Sequence, residues 1–203
     1  MKSDNPLHSS IHCRIFMKKL VPILFGSIFT LTAIGLFAAQ TLTENQQTSD
    51  NMIKIGNFYM DKYEYPNIIG EYPVTDVTWS EAKAMCEAVG KRLCTDTEWV
   101  QACRGPQGLR YPYGPVYDGT MCNVESKVDA PQRIGETPKT CVSAYGVSDL
   151  NGNVWEWVGT STEEGVLIRG GAWSSESCAE CALKFWENFP NAKSDRAGFR
   201  CCK

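Results

Sequence analysis

Residues 77–105 read VTWSEAKAMCEAVGKRLCTDTEWVQACRG, and two helix-start signals within them decide the fold class. Thr78-Trp79-Ser80-Glu81 has the form of a capping box, in which a threonine hydroxyl and a glutamate three residues on satisfy each other's backbone amides. Ala82, Met85, Cys86 and Val89 then recur at helical spacing, and Gly90 supplies the stop. Thr95-Asp96-Thr97-Glu98 repeats the signal, with Trp99, Ala102 and Cys103 on one face and Gly105-Pro106 behind it. The stretch predicts two short helices, each burying a cysteine.

On the N-terminal side, Ile53 to Tyr63 alternates loosely and is rich in aromatic residues, which predicts short strands around Gly56 and Asn57. Beyond Pro106, short segments punctuated by Gly, Pro, Asn and Asp replace any long helical pattern. Val154 to Val158 and Val166 to Ile168 read as strands, and Cys178 to Trp186 reads equally as strand or helix. Helices first and short strands later give an α+β, loop-rich fold. Gly170-Gly171 lacks the flanking signature of a phosphate loop and reads as a turn or bulge. Trp155, Trp157, Trp173 and Trp186 read as core before they read as a ligand platform.

Leu20 to Ala39 is an uncharged, largely apolar run behind Lys18-Lys19, suited to a signal peptide or a single membrane anchor across a bilayer core of about 30 Å. Residues 1–39 are therefore a targeting segment, with Met17 as a natural start. The polar residues 40–51 are a linker, and 52–203 form one domain. Both readings of the apolar run place that domain outside the cytoplasm, in the periplasm or secreted. Residues 1–39 carry a net charge of +3, leaving −6 on the rest of a chain whose total is −3. An acidic domain lacks the basic face that nucleic acid demands.

Of ten cysteines, nine follow the apolar run, a density that predicts disulfides in an exported domain and leaves one cysteine over. The two histidines, His8 and His12, both precede that run. A domain without histidine has no histidine base for a serine or cysteine nucleophile and no histidine metal ligand. No small-molecule ligand is identifiable from the residues.

Several ordered motifs resemble the formylglycine-generating enzyme, or sulfatase-modifying factor, family. They are Tyr59 to Tyr65, Pro73 to Gly105, Tyr111-Pro112-Tyr113-Gly114, Tyr145-Gly146-Val147 with Asp149 to Trp157, Arg169-Gly170-Gly171-Ala172-Trp173, and Gly198-Phe199-Arg200-Cys201. The resemblance spans Met52 to Lys203 and implies a compact C-type-lectin-like fold stapled by disulfides. It implies bridges Cys86 to Cys201 and Cys103 to Cys181, and leaves Cys94, Cys122, Cys141, Cys178 and Cys202 unassigned. Adjacent Cys201 and Cys202 face opposite sides of a strand and so suit different partners.

Active members of that family oxidise a client cysteine to formylglycine with oxygen and a copper ion held by two thiolates. The positions implied for those thiolates hold Ser175 and Glu180, neither a soft copper ligand. Cys178 and Cys181, a C-x-x-C pair in the same segment, are the weak substitutes.

Asp149-Leu150-Asn151-Gly152-Asn153-Val154-Trp155-Glu156 concentrates hard oxygen ligands of the kind calcium takes. The bland reading is an Asn-Gly turn into a strand with Glu156 exposed. The resemblance implies a calcium loop here, with carboxylates from Asp149 and Glu156 and carbonyls from Gly152 and Val154, and a weaker second position at Asn123. The expectation is an extracytoplasmic, noncatalytic binding or accessory module, serving a protein partner or the maturation of an exported protein or complex, with calcium as its cofactor. The competing expectation is a copper-dependent formylglycine-generating oxidase acting on a cysteine of a client sulfatase-like protein.

Overall fold

The computed structural model describes residues 51–163, 165–175, 179–187 and 191–203. Strands β1 (Met52–Ile55) and β2 (Phe58–Asp61) form a hairpin whose two-residue turn opens with Gly56 at φ +58°, a conformation glycine adopts without steric cost. Helix α1 (Trp79–Ala88), β3 (Arg92–Leu93) and helix α2 (Asp96–Arg104) follow. Residues 105–154 then contain no helix and no strand beyond isolated bridges. The chain ends with β4 (Trp155–Thr162), β5 (Gly165–Arg169), β6 (Phe185–Glu187), β7 (Ala197–Phe199) and β8 (Cys201–Cys202). Of the described residues of the stretch left open between strand and helix, Cys178 to Trp186, only Phe185 and Trp186 enter a strand, β6.

Both helices start where the sequence says. Thr78 and Thr95 are the N-caps, each accepting from the amide three residues on while Glu81 and Glu98 accept from the cap amides. Lys193 adds an ion pair to Glu81 and, with the cap amide, holds that carboxyl at about 2. The depressed value means that this contribution is present above the ordinary glutamate range and is lost as pH falls toward 2. Thr78→Ala is expected to cost about 1 kcal/mol in urea unfolding. Glu81 is largely exposed, so Glu81→Gln should cost less, and its effect should shrink in salt.

The strands form two sheets, ordered β1-β2-β8-β3 and β6-β5-β4-β7, in which β4 and β7 run parallel and the other pairs antiparallel. Alternation along β4 and β5 sends Trp155, Trp157, Val166 and Ile168 to one core, with Leu93 and Phe199. Val158 and Leu167 go to the other, with Ile55, Met60, Trp99 and Leu150. The second sheet is therefore buried on both faces, which explains the dense apolar character of its central strands. Trp155, Trp157 and Trp173 are core residues.

Four disulfides join this sparse framework: Cys86–Cys201, Cys94–Cys202, Cys103–Cys181 and Cys122–Cys141. The first and third are the bridges the resemblance implies. Two of the four bind β8, whose adjacent cysteines reach α1 and the segment before α2 from opposite faces. With these eight paired, the ninth cysteine of residues 40–203 is Cys178, which lies outside the described residues. The expected targeting segment 1–39 and residues 40–50 of the expected linker lie outside them as well.

Candidate functional site

The turn before β4 is built from residues that tolerate left-handed backbone: Asp149 at φ +61°, Gly152 at +81° and Asn153 at +59°. Gly152 has a second reason to lack a side chain. A Cβ there would lie 2.3 Å from the Asn123 carbonyl oxygen and 2.5 Å from Val124 Cγ1. The turn is thus pressed against residues 123–124, and the Asn153 amide donates to the Asn123 carbonyl at 2.9 Å. Cys122–Cys141 ties down the same region. The fold therefore joins the two segments that the sequence named separately for calcium.

Glu156 is fully buried, contrary to the bland reading of an exposed strand residue. It lies on the face of β4 opposite Trp155 and Trp157, beneath α2. Its Oε1 accepts from Arg200 Nη2 at 2.7 Å, and its Oε2 accepts from Arg200 Nε at 2.7 Å and from Trp99 Nε1 at 2.8 Å. Arg200 is equally buried and also donates to the carbonyls of Asp61, Lys62 and Ser148. This forked pair is the electrostatic centre of the domain.

Two further carboxyls face it. Glu64 is fully buried: its Oε1 accepts from Asn153 Nδ2 at 3.0 Å, and its Oε2 has no hydrogen-bond partner. Asp149 Oδ2 accepts from the Thr137 hydroxyl at 3.0 Å, and its Oδ1 likewise has no partner. Burial pushes both carboxyls above the usual range. Asp149 adds to the rise at Glu64, and Glu156 adds to it at Asp149, while Arg200 opposes both. The amide oxygens of Asn123 and Asn151 are also buried without partners.

These orphaned hard oxygens fit a calcium ion in chemical type. Among the described residues no cluster of three or more His, Cys, Asp or Glu side chains could hold a metal. A cation here would rest on fewer carboxylates, supplemented by amide and carbonyl oxygens. Asp149 remains suited to that role, with the carbonyls of Gly152 and Val154, whereas Glu156 is already committed to Arg200 and Trp99.

The positions expected for copper thiolates are differently occupied. Ser175 is buried, and its hydroxyl accepts from the Ala172 amide at 2.9 Å. Glu180 is gripped by Arg110 through two bonds of 2.8 and 2.7 Å, and that guanidinium holds its carboxyl below the usual range. Cys181 corrects the C-x-x-C expectation: its sulfur is bonded to Cys103, and a disulfide sulfur is not a thiolate ligand. The other member of the pair, Cys178, lies outside the described residues. An open cleft of about 530 Å³ beside α2 is lined by Asp96, Gln101, Arg104, Arg169 and Ala182 among others, and by none of the candidate ligands.

Glu64 and Arg200 were not among the candidates from sequence. Their signal was a charged residue set between large apolar or sulfur neighbours, Tyr63 and Tyr65 for one and Phe199 and Cys201 for the other. Such a residue is either solvent-facing on an alternating strand or buried and paired, and only contacts distinguish these.

Residues 66–203 match the family described as Sulfatase-modifying factor enzyme 1-like domain. Inactive C-alpha-formylglycine-generating enzyme 2 of Bos taurus is 32% identical over 151 residues, covering 64% of this chain and 50% of that protein. Formylglycine-generating enzyme of Mus musculus is 26% identical over 163 residues, covering 64% and 44%. The chain thus spans about half the length of these curated relatives. Treponema denticola variable protein 1 superposes with a TM-score of 0.61 at 16% identity, covering 71% of this chain and 84% of that one. The fold is a small, disulfide-stapled α+β fold of C-type-lectin-like type. The four bridges and these relatives point to an oxidising, extracytoplasmic environment.

Proposed function

We propose that this chain, which belongs to the sulfatase-modifying factor enzyme 1-like family, works as a noncatalytic binding or accessory module on a calcium-supported frame. One observation carries the reading. Where the resemblance places two copper thiolates, the chain has a buried serine hydroxyl and a glutamate committed to arginine. Neither donor holds Cu(I), whose preference is for soft sulfur. The similarity to a relative named as inactive supports the same reading. Residues 1–39 deliver the domain to the periplasm or exterior, as a signal peptide or anchor. There it engages a protein partner or assists maturation of an exported protein or complex.

The alternative, a copper-dependent oxidase acting on a client cysteine, has the similarity to Formylglycine-generating enzyme in its favour. It requires Cys178 to find a second thiolate, and the nearest one in sequence is held in the Cys103–Cys181 bridge. The test incubates the exported, disulfide-intact protein with Cu(I), oxygen and a cysteine-containing sulfatase-motif peptide, with aldehyde read by mass spectrometry. The expected yield equals that of the protein-free control. Catalytic aldehyde formation that disappears in Cys178→Ser would sink the noncatalytic reading.

A further inference from the structure

We propose that Glu64, rather than Glu156, supplies the second carboxylate of the calcium site opened by Asp149. The inference rests on the calcium reading above and departs from the ligand set that the motif alone suggests.

Three buried carboxyls, Glu64, Asp149 and Glu156, share the interior with the guanidinium of Arg200, which hydrogen-bonds Glu156 and reaches the other two only through space. Arg200 neutralises Glu156 through the two-point fork. A cation drawn to Glu156 would have to sit beside that guanidinium, and Oε2 already accepts two bonds. Glu64 and Asp149 are in the opposite position. Each has one oxygen anchored by a neutral donor, Asn153 Nδ2 and the Thr137 hydroxyl respectively, and one oxygen with no partner. Two buried carboxylates with no cation of their own are neutralised by one divalent ion.

The surroundings suit the same ion. Asn153 links the parts: it donates to Glu64, accepts from Asn123 Nδ2 at 3.0 Å and from the Gln132 amide at 2.8 Å, and follows the carbonyl of Gly152 in the turn. Asn123 and Asn151 add partnerless amide oxygens. Two carboxylates with neutral oxygens make a hard-cation donor set, not a zinc or copper one. Glu64 also follows β2, so the ion would join the hairpin to the turn before β4, a connection that hydrogen bonds make through Asn153, Ser148 and Arg200.

The experiment uses the exported, disulfide-intact protein stripped with chelator, titrated with calcium alone by calorimetry and followed by thermal unfolding. Glu64→Gln is expected to weaken calcium binding roughly tenfold or more and to abolish the calcium-dependent rise in Tm. Its metal-free Tm should equal or exceed the wild type, because a buried carboxyl without a cation has become neutral. Asp149→Asn should behave alike. Glu156→Gln should lower the metal-free Tm and keep the calcium affinity of the wild type. Should Glu64→Gln fail to fold, Glu64→Asp, which keeps the charge but retracts it by one methylene, must show the weakened binding. Wild-type affinity in a folded Glu64 variant would overturn the assignment while leaving the calcium reading intact. Absence of calcium binding by the wild type would overturn both.

Discussion

Arg200→Met is expected to destabilise the domain by about 3–5 kcal/mol, read as a shift in denaturant midpoint, because it removes one member of a fully buried ion pair. The side chain is 1% exposed and bonds two oxygens of Glu156 and three backbone carbonyls. Methionine fills similar volume, so the loss comes mainly from charge rather than from a cavity. What remains is Glu156 without its cation, a buried charge that disfavours ionisation of both Glu64 and Asp149. Removing the orphaned charge as well should recover part of the loss. Arg200→Met with Glu156→Gln is therefore expected to be more stable than Arg200→Met alone, which would be a coupling measured by a double-mutant cycle. Additive losses would show that Arg200 acts through its carbonyl contacts and not through the pair. Arg200→Lys should fall between, since an ammonium lacks the planar fork that meets both oxygens of Glu156.

The second large effect concerns the paired bridges at β8. Cys86–Cys201 and Cys94–Cys202 span 115 and 108 residues, but the Cys103–Cys181 bridge lies inside both loops and shortens either ring to a few tens of residues, so either alone should restrict the unfolded chain by about 4 kcal/mol. They are not independent. Once one is closed, the other closes a ring of only the few residues from Cys86 to Cys94 plus the Cys201-Cys202 step, a restriction of roughly 2–3 kcal/mol. Replacing one pair with serines or alanines should thus cost roughly 2–3 kcal/mol, whereas replacing both should cost about 7 kcal/mol and leave the domain unfolded at ordinary temperature. The measurement is guanidinium unfolding of the two single-bridge variants and the double variant. Equal, additive losses of about 4 kcal/mol per bridge would contradict the nested-loop account. The functional consequence follows from position: β8 pairs with both β2 and β3 and follows Arg200 directly, so loosening it releases the buried ion pair.

The two predictions meet in one place. Arg200 lies between β7, which pairs with β4, and β8, which pairs with β2 and β3. It sits where the two sheets join, and its guanidinium reaches the carbonyls of residues 61, 62 and 148 from that junction. The loops of residues 105–154 need such a centre, because they have few backbone ladders to hold them. Disulfides and buried polar bonds fill that role here, and a calcium ion at Asp149 and Glu64 would extend it.

The sequence by itself determined the features whose causes lie within a few residues. Thr78 with Glu81 and Thr95 with Glu98 start their helices through contacts three residues apart. Gly56 makes the hairpin turn, and the short runs Val154 to Val158 and Val166 to Ile168 mark strands. The absence of histidine after residue 39, and the serine and glutamate at positions 175 and 180, are properties of composition and order alone. Tertiary structure decided whatever depended on distant partners. Glu156 meets Arg200 across 44 positions and Trp99 across 57, and Glu64 meets Asn153 across 89. The partners of Cys94 and Cys122 were equally hidden, because a cysteine's own neighbours carry no record of which sulfur the folded chain brings near it. The fate of a charged residue flanked by aromatics turns on desolvation and compensation, and both are set only when the second sheet is covered on each face.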